Sequence, residues 1–141
     1  MSNYHPELCL QANSYVPITD LNDKYTYCVF RVQNGYWYYP EGKNRIRPRE
    51  QLTSGIGISH GYIDSGIVSF ETFREASRYA TTICNVGEHM EVVKCIIPQG
   101  SKYLVGTFYP PWGEYTCYAS EILLVGEPGT LWERLVRWCK S

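Results

Sequence analysis

A chain of 141 residues is long enough to make one domain that buries about two thirds of its unfolded surface without an external staple. Its net charge of −1 gives no field that would make nucleic acid or an anionic membrane the default partner, and no apolar run approaches the roughly 20 residues of a membrane span. Thirteen tyrosines against four phenylalanines favour rings that hydrogen-bond at one end, a composition suited to a β-rich domain with an aromatic surface or groove.

Residues 1–24 carry Pro6, Pro17 and several Asn and Asp without a sustained period, and read as an irregular leader before a single α+β domain over 25–141. The first clear element is Tyr25 to Gln33, "YTYCVFRVQ", rich in β-branched and aromatic residues. Asn34-Gly35 then supplies the two positive-φ positions of a type I′ turn before "YWYY", a strong hairpin signal. From Pro40 to Gly61 prolines and glycines break any regular pattern; a structureless stretch of that length is either functional or a mobile excursion. Within it, Lys43, Arg45, Arg47 and Arg49 place four cations in seven residues, a phosphate-facing rim or a solvated loop.

In "SHGYIDSGIVSF" the residues His60, Gly61 and Tyr62 precede a short strand ending at Ser69-Phe70. They read as a ligand-facing loop, the glycine allowing close backbone approach and the tyrosine stacking or bonding. In the plainer reading Gly61 and Gly66 serve turns and Tyr62 packs beneath the next helix. Thr72-Phe73-Arg74-Glu75 forms a capping box, and Phe73, Ala76, Ala80 and Ile83 recur on one helical face. The helix is expected to end near Asn85 to Gly87. "MEVVKCII", "SKYLVGTF" and "CYASEILLV" predict three strands joined by short turns, in a mixed or antiparallel sheet. Thr130-Leu131-Trp132-Glu133 repeats the capping pattern and predicts a second helix, "LWERLVRWCK".

The six cysteines, Cys9, Cys28, Cys84, Cys95, Cys117 and Cys139, form no C-x-x-C pair, and the N-terminus has no charged-then-apolar signal segment. Reduced thiols in a cytoplasmic protein follow as the expectation. His5, His60 and His89 are scattered, with no G-x-S-x-G, H-E-x-x-H or P-loop, and the dispersed carboxylates predict no metal site. An arginine inside an aromatic strand is unusual: Arg31 asks for an anionic partner unless it points to the solvent face.

"GIVSFETFREASRYA" resembles the strand and helix of ADP-ribosyltransferase domains, "YASEILLV" is similar to the segment that carries their catalytic glutamate, and "YCVFRV" stands where their first strand would be. The resemblance covers roughly residues 25–125 in the family's order and implies a split sheet and NAD as cofactor. Carried over residue by residue, it implies that Arg31 contacts a phosphate or ribose of NAD. Ser69 would set the nicotinamide ribose, and Glu121 would polarise its 2′-hydroxyl and stabilise an oxocarbenium-like transition state. Val68 stands at the tyrosine position of the family's strand and Ala119 where arginine-directed members have a second glutamate. The family reading therefore includes a degenerate, non-catalytic relative that binds a nucleotide-like molecule.

Two other classes fit the sequence. A protein-interaction module, expected to be oligomeric, would use Tyr36, Trp37, Tyr38, Tyr39 and Trp112 as its recognition surface. Single-stranded nucleic-acid binding by aromatics and the 43–49 basic run is weakened by the near-neutral total charge.

Overall fold

The computed structural model describes residues 8–40 and 42–126. The expected second helix, together with His5 and Cys139, lies outside the described residues. In chain order the elements are β1 Leu10–Ala12, β2 Lys24–Gln33, β3 Tyr36–Tyr38, β4 Arg45–Ile46, β5 Gln51–Thr53, β6 Gly57–Ser59, β7 Tyr62–Ser65 and β8 Ile67–Phe70. They are followed by α1 Phe73–Ile83, β9 His89–Ile97, β10 Tyr103–Phe108, β11 Tyr115–Ser120 and β12 Ile122–Val125.

All the named strand pairs are antiparallel, in the order β5-β12-β9-β2-β8-β11-β10-β1-β7-β6, with β3 and β4 extending from β2. The predicted β2–β3 hairpin forms as its turn residues require, with Asn34 at φ 54° and Gly35 at φ 81°. The same geometry recurs at His60 (φ 54°) and Gly61 (φ 84°), so the "SHGY" stretch is the type I′ turn between β6 and β7. Helix α1 starts where its capping box places it, the Glu75 amide donating to the Thr72 hydroxyl at 3.1 Å.

Two expectations change. Leu10–Ala12, inside the stretch read as leader, joins the sheet between β10 and β7. Backbone ladders hold it, and three residues are too few to show a period. The 40–61 stretch holds three short strands, β4, β5 and β6, again below the length at which alternation is legible.

β11 and β12 are one chain run broken only at Glu121. The first half pairs with β8 and the second with β9, while β2 pairs with both β8 and β9. The pairings thus close a ring: β8, β2, β9, β12 continuous with β11, and back to β8. Alternation sends one side chain set inward, where Cys28, Phe30, Ile67, Val93, Cys95, Tyr118 and Leu123 form one core. The other set, including Val29, Phe70, Val92 and Cys117, meets Ala76, Tyr79, Ala80 and Ile83 of α1 in a second core. One sheet therefore serves two cores.

Candidate functional site in the seam of the ring

Among the described residues the ring's weakest closure lies between β2 and β8. β2 pairs with β9 at nine positions, from Lys24↔Ile97 to Val32↔His89, but with β8 only at Tyr27↔Phe70. Beyond that pair the two strands part. Side chains replace the missing ladder: the Thr26 hydroxyl donates to the Phe70 carbonyl at 2.8 Å, and the Cys28 thiol to the Val68 carbonyl at 3.6 Å. A thiol is a weak donor, so the Val68 carbonyl faces the seam poorly satisfied.

Between the parted strands lies a cavity of about 230 Å³. Val29 and Phe30 line it from β2, Gly66, Val68 and Phe70 from the β8 side, Tyr79 from α1, and Tyr39, Pro40 and Leu8 from outside the sheet. Its walls are aromatic: Phe70 and Tyr79 lie 5.1 Å apart by ring centroid, and Phe30 and Tyr39 5.9 Å apart. Burial, reinforced by the nearby Cys28 and Cys95 thiols, pushes the Tyr39 hydroxyl well above its ordinary value, so it stays a neutral donor. Gly66 sits at φ 134°, and a Cβ there would come within 2.7 Å of the Ala119 Cβ. Only glycine lets the start of β8 lie this close to β11.

Arg31 stands at the rim and holds it. Its Nε donates to the Pro40 carbonyl at 3.3 Å, Nη2 to the Gly42 carbonyl at 2.8 Å and Nη1 to Gln33 Oε1, while its plane lies 5.0 Å from the Tyr38 ring. The Arg31 donors are thus met by two backbone carbonyls and a glutamine side chain of its own chain. The partner the sequence demanded is the chain itself, and the bonds fix Tyr39 and Pro40 over the cavity.

The other expected residues are dispersed. Phe70 lines the seam cavity, but Ser69, next to it, points by alternation to the opposite side of β8, fully buried, its Oγ without a partner. Glu121 occupies the bend between β11 and β12, its amide bonded to the Lys102 carbonyl and its carbonyl to the Ser54 amide. Arg31 is opposite Met90 and Leu124 opposite Ile96, about 20 Å apart along β9, with Glu121 further out still. Arg31, Ser69 and Glu121 do not converge. His60 and Gly61 instead border a different, open groove of about 560 Å³ with Tyr15, Pro17 and Leu104; there His60 Nδ1 lies 3.0 Å from Ser59 Oγ. Tyr62 is half exposed on β7 and lines neither cavity. Of the aromatic surface, Trp37 is withdrawn: it is buried and stacked on Phe30 at 5.7 Å, whereas Tyr36, Tyr39 and Trp112 are exposed.

Sequence reasoning missed Val29, Gly66, Val68 and Tyr79 as lining residues. Gly66 was legible as a turn position and Val68 was noted only at the tyrosine position of the resembled strand; Val29 and Tyr79 carried no signal that set them apart. Among the described residues no cluster of three or more His, Cys, Asp or Glu could hold a metal, and no helix is long and apolar enough to cross a membrane. The cavity lining offers aromatic faces, a neutral hydroxyl and a strand carbonyl, a set that fits a flat uncharged heterocycle and brings no carboxylate to it. Comparison with family models, curated proteins and solved structures returned no match.

Proposed function

We propose that the chain is a degenerate relative of ADP-ribosyltransferase domains that binds the base or nicotinamide end of a nucleotide, NAD or ADP-ribose among them, in the seam between β2 and β8. The observation that carries this reading is the parting of the two strands after a single pairing, Tyr27↔Phe70, around an aromatic-lined cavity. Those strands are the ones to which the resemblance assigns dinucleotide contacts. A heterocycle bearing an amide or amino edge can donate to the Val68 carbonyl more strongly than the Cys28 thiol does, and its faces can meet the Phe70 and Tyr39 rings. Binding without turnover is the form favoured, because Glu121, the carboxylate assigned to the oxocarbenium-like transition state, stands beyond the far end of β2.

The test is thermal unfolding of the purified chain with nicotinamide, adenosine, NAD and ADP-ribose, beside Val68→Phe, which fills the cavity from a partly buried position. A ligand at 100 times its Kd stabilises the native state by about 2.7 kcal/mol. A melting-temperature rise with at least one of these ligands that disappears in Val68→Phe is the expected result. No rise at millimolar ligand, or an undiminished rise in a folded Val68→Phe, would sink the reading.

A further inference from the structure

The second feature of note is a charged and aromatic face on the β2–β3–β4 ribbon, which adjoins the seam cavity at Arg31. Residues 31–49 carry five Lys or Arg against one carboxylate, while the other 122 residues carry eight against thirteen. The near-neutral total hides a strongly polarised chain. A protein that is anionic elsewhere and cationic on one ribbon presents that ribbon to an anion.

Register organises the ribbon. Arg31 is opposite Tyr38, and Tyr38 opposite Arg45, so one row across three strands reads Arg-Tyr-Arg, with Gln33↔Tyr36 as the adjacent row. Alternation turns Trp37 and Ile46 into the core and leaves Tyr36, Tyr38 and Arg45 on the other face. Tyr36 and Arg45 are exposed. The Arg45 guanidinium lies 3.7 Å from the Tyr36 ring centre. That contact orders a side chain that would otherwise be mobile, and it leaves the outer plane of the guanidinium and its donor edge to solvent. Arg31 lies 5.0 Å from the Tyr38 ring and is itself bonded to carbonyls, so it supports Tyr38. Lys43 and Arg47, both exposed, flank β4. Among the described residues no carboxylate lies within ion-pair distance of Lys43, Arg45 or Arg47.

We infer that this ribbon is a binding surface for single-stranded nucleic acid. Bases stack on tyrosine rings and on the planes of ordered arginines, and phosphates take the flanking cations. A duplex hides its base faces and has no use for the Arg-Tyr rows. An acidic peptide or an anionic membrane would use the charge but not the stacking planes, and the rows therefore favour the single strand over both.

The experiment is fluorescence anisotropy of the full chain with labelled (dT)15 and (rU)15, against a 15-base-pair duplex and heparin as competitors, over a range of salt. Expected are tighter binding of the single strands than of the duplex and a fall in log affinity with log salt of about 0.7 per phosphate contacted. Tyr36→Ala should weaken binding about fivefold or more with the salt slope kept, since stacking is uncharged. Arg45→Gln with Lys43→Gln should weaken it and flatten the slope. These positions are exposed, and unchanged melting temperatures would show that the variants fold. Absence of single-strand binding at low salt, wild-type affinity in Tyr36→Ala, or equal affinity for the duplex would overturn the inference. So would displacement by heparin together with indifference to the tyrosine, which would mark a simple polyanion surface. Val68→Phe should bind oligonucleotides as the parent does, which separates this surface from the seam.

Discussion

Ser69 separates what a strand's sequence implies from what its side chains do. It belongs to the same short strand as Phe70, yet a period of two puts consecutive side chains on opposite faces: Phe70 reaches the seam cavity and Ser69 does not. Ser69 is opposite Tyr118 in the ladder, fully buried, and its Oγ has no hydrogen-bond partner. A buried hydroxyl left unpaired is destabilising by about 1 kcal/mol or more. Ser69→Ala removes the hydroxyl without leaving a void, so it should raise the melting temperature by about 2–4 °C and leave any nucleotide-induced shift intact. A loss of the shift in that variant would return Ser69 to the ribose-positioning role that the family resemblance implies.

Helix α1 shows the same logic at the scale of an element. Its N-terminus is held by Thr72 and Glu75, and Glu75 also lies over the β11 strand, where one carboxylate oxygen is buried without a partner. Burial raises the Glu75 carboxyl above its ordinary value; the Thr116 backbone opposes this and the nearby Glu71 carboxylate adds to it. A carboxyl with a raised folded-state value binds its proton more tightly folded than unfolded. Its contribution to stability is therefore fully present below pH 4.5, the unfolded value, and is lost as pH rises through the folded one. Glu75→Gln keeps the length and hydrogen bonding of the capping box without the charge. It should stabilise the protein relative to the parent at neutral pH, with the difference shrinking as the pH falls through the carboxylate range; melting curves from pH 3 to 8 measure this. A constant difference across that range would show the charge to be irrelevant.

This helix and the β2–β3 hairpin were legible because strong local chemistry, a capping box and an Asn-Gly turn, fixes each within a few residues. β9, β10 and β11 were legible as apolar and aromatic runs bounded by turn residues, although "CYASEILLV" read as one strand where the structure has β11 and β12. β1, β4, β5 and β6 were not, because two or three residues carry no period and owe their form to neighbours distant in sequence. For the same reason the candidate site was only half visible: Phe70 and Arg31 were singled out, but the seam exists because two distant strands fail to pair, and no local pattern encodes a missing hydrogen bond. The resemblance supplied an order of residues along the chain, and the register then set Arg31 and Glu121 at opposite ends of β2.

At the scale of the molecule, the ring ties the two cores into one unit. β2 contributes Cys28 and Phe30 to the inner core and Val29 to the helix-side core, and β9 likewise divides Val93 and Val92 between them. Neither core can come apart without distorting strands that the other requires. Ile97, inside the ring, and Ile83, on the sheet-facing side of α1, are each 1% exposed, and each loses one methylene's worth of packing on mutation to valine. Ile97→Val and Ile83→Val should each lower stability by about 0.5–1.5 kcal/mol. Both should shift the same transition, coincident by far-ultraviolet circular dichroism and aromatic fluorescence, with the double variant additive within about 0.5 kcal/mol. If the helix-side core were instead a separable layer, Ile83→Val would shift an early transition and leave the later one in place. The weak seam does not predict that outcome, because β2 remains joined to the ring through its nine pairings with β9. A ligand that bridges β2 and β8 should accordingly raise the midpoint of the whole transition, and should do so equally in both valine variants.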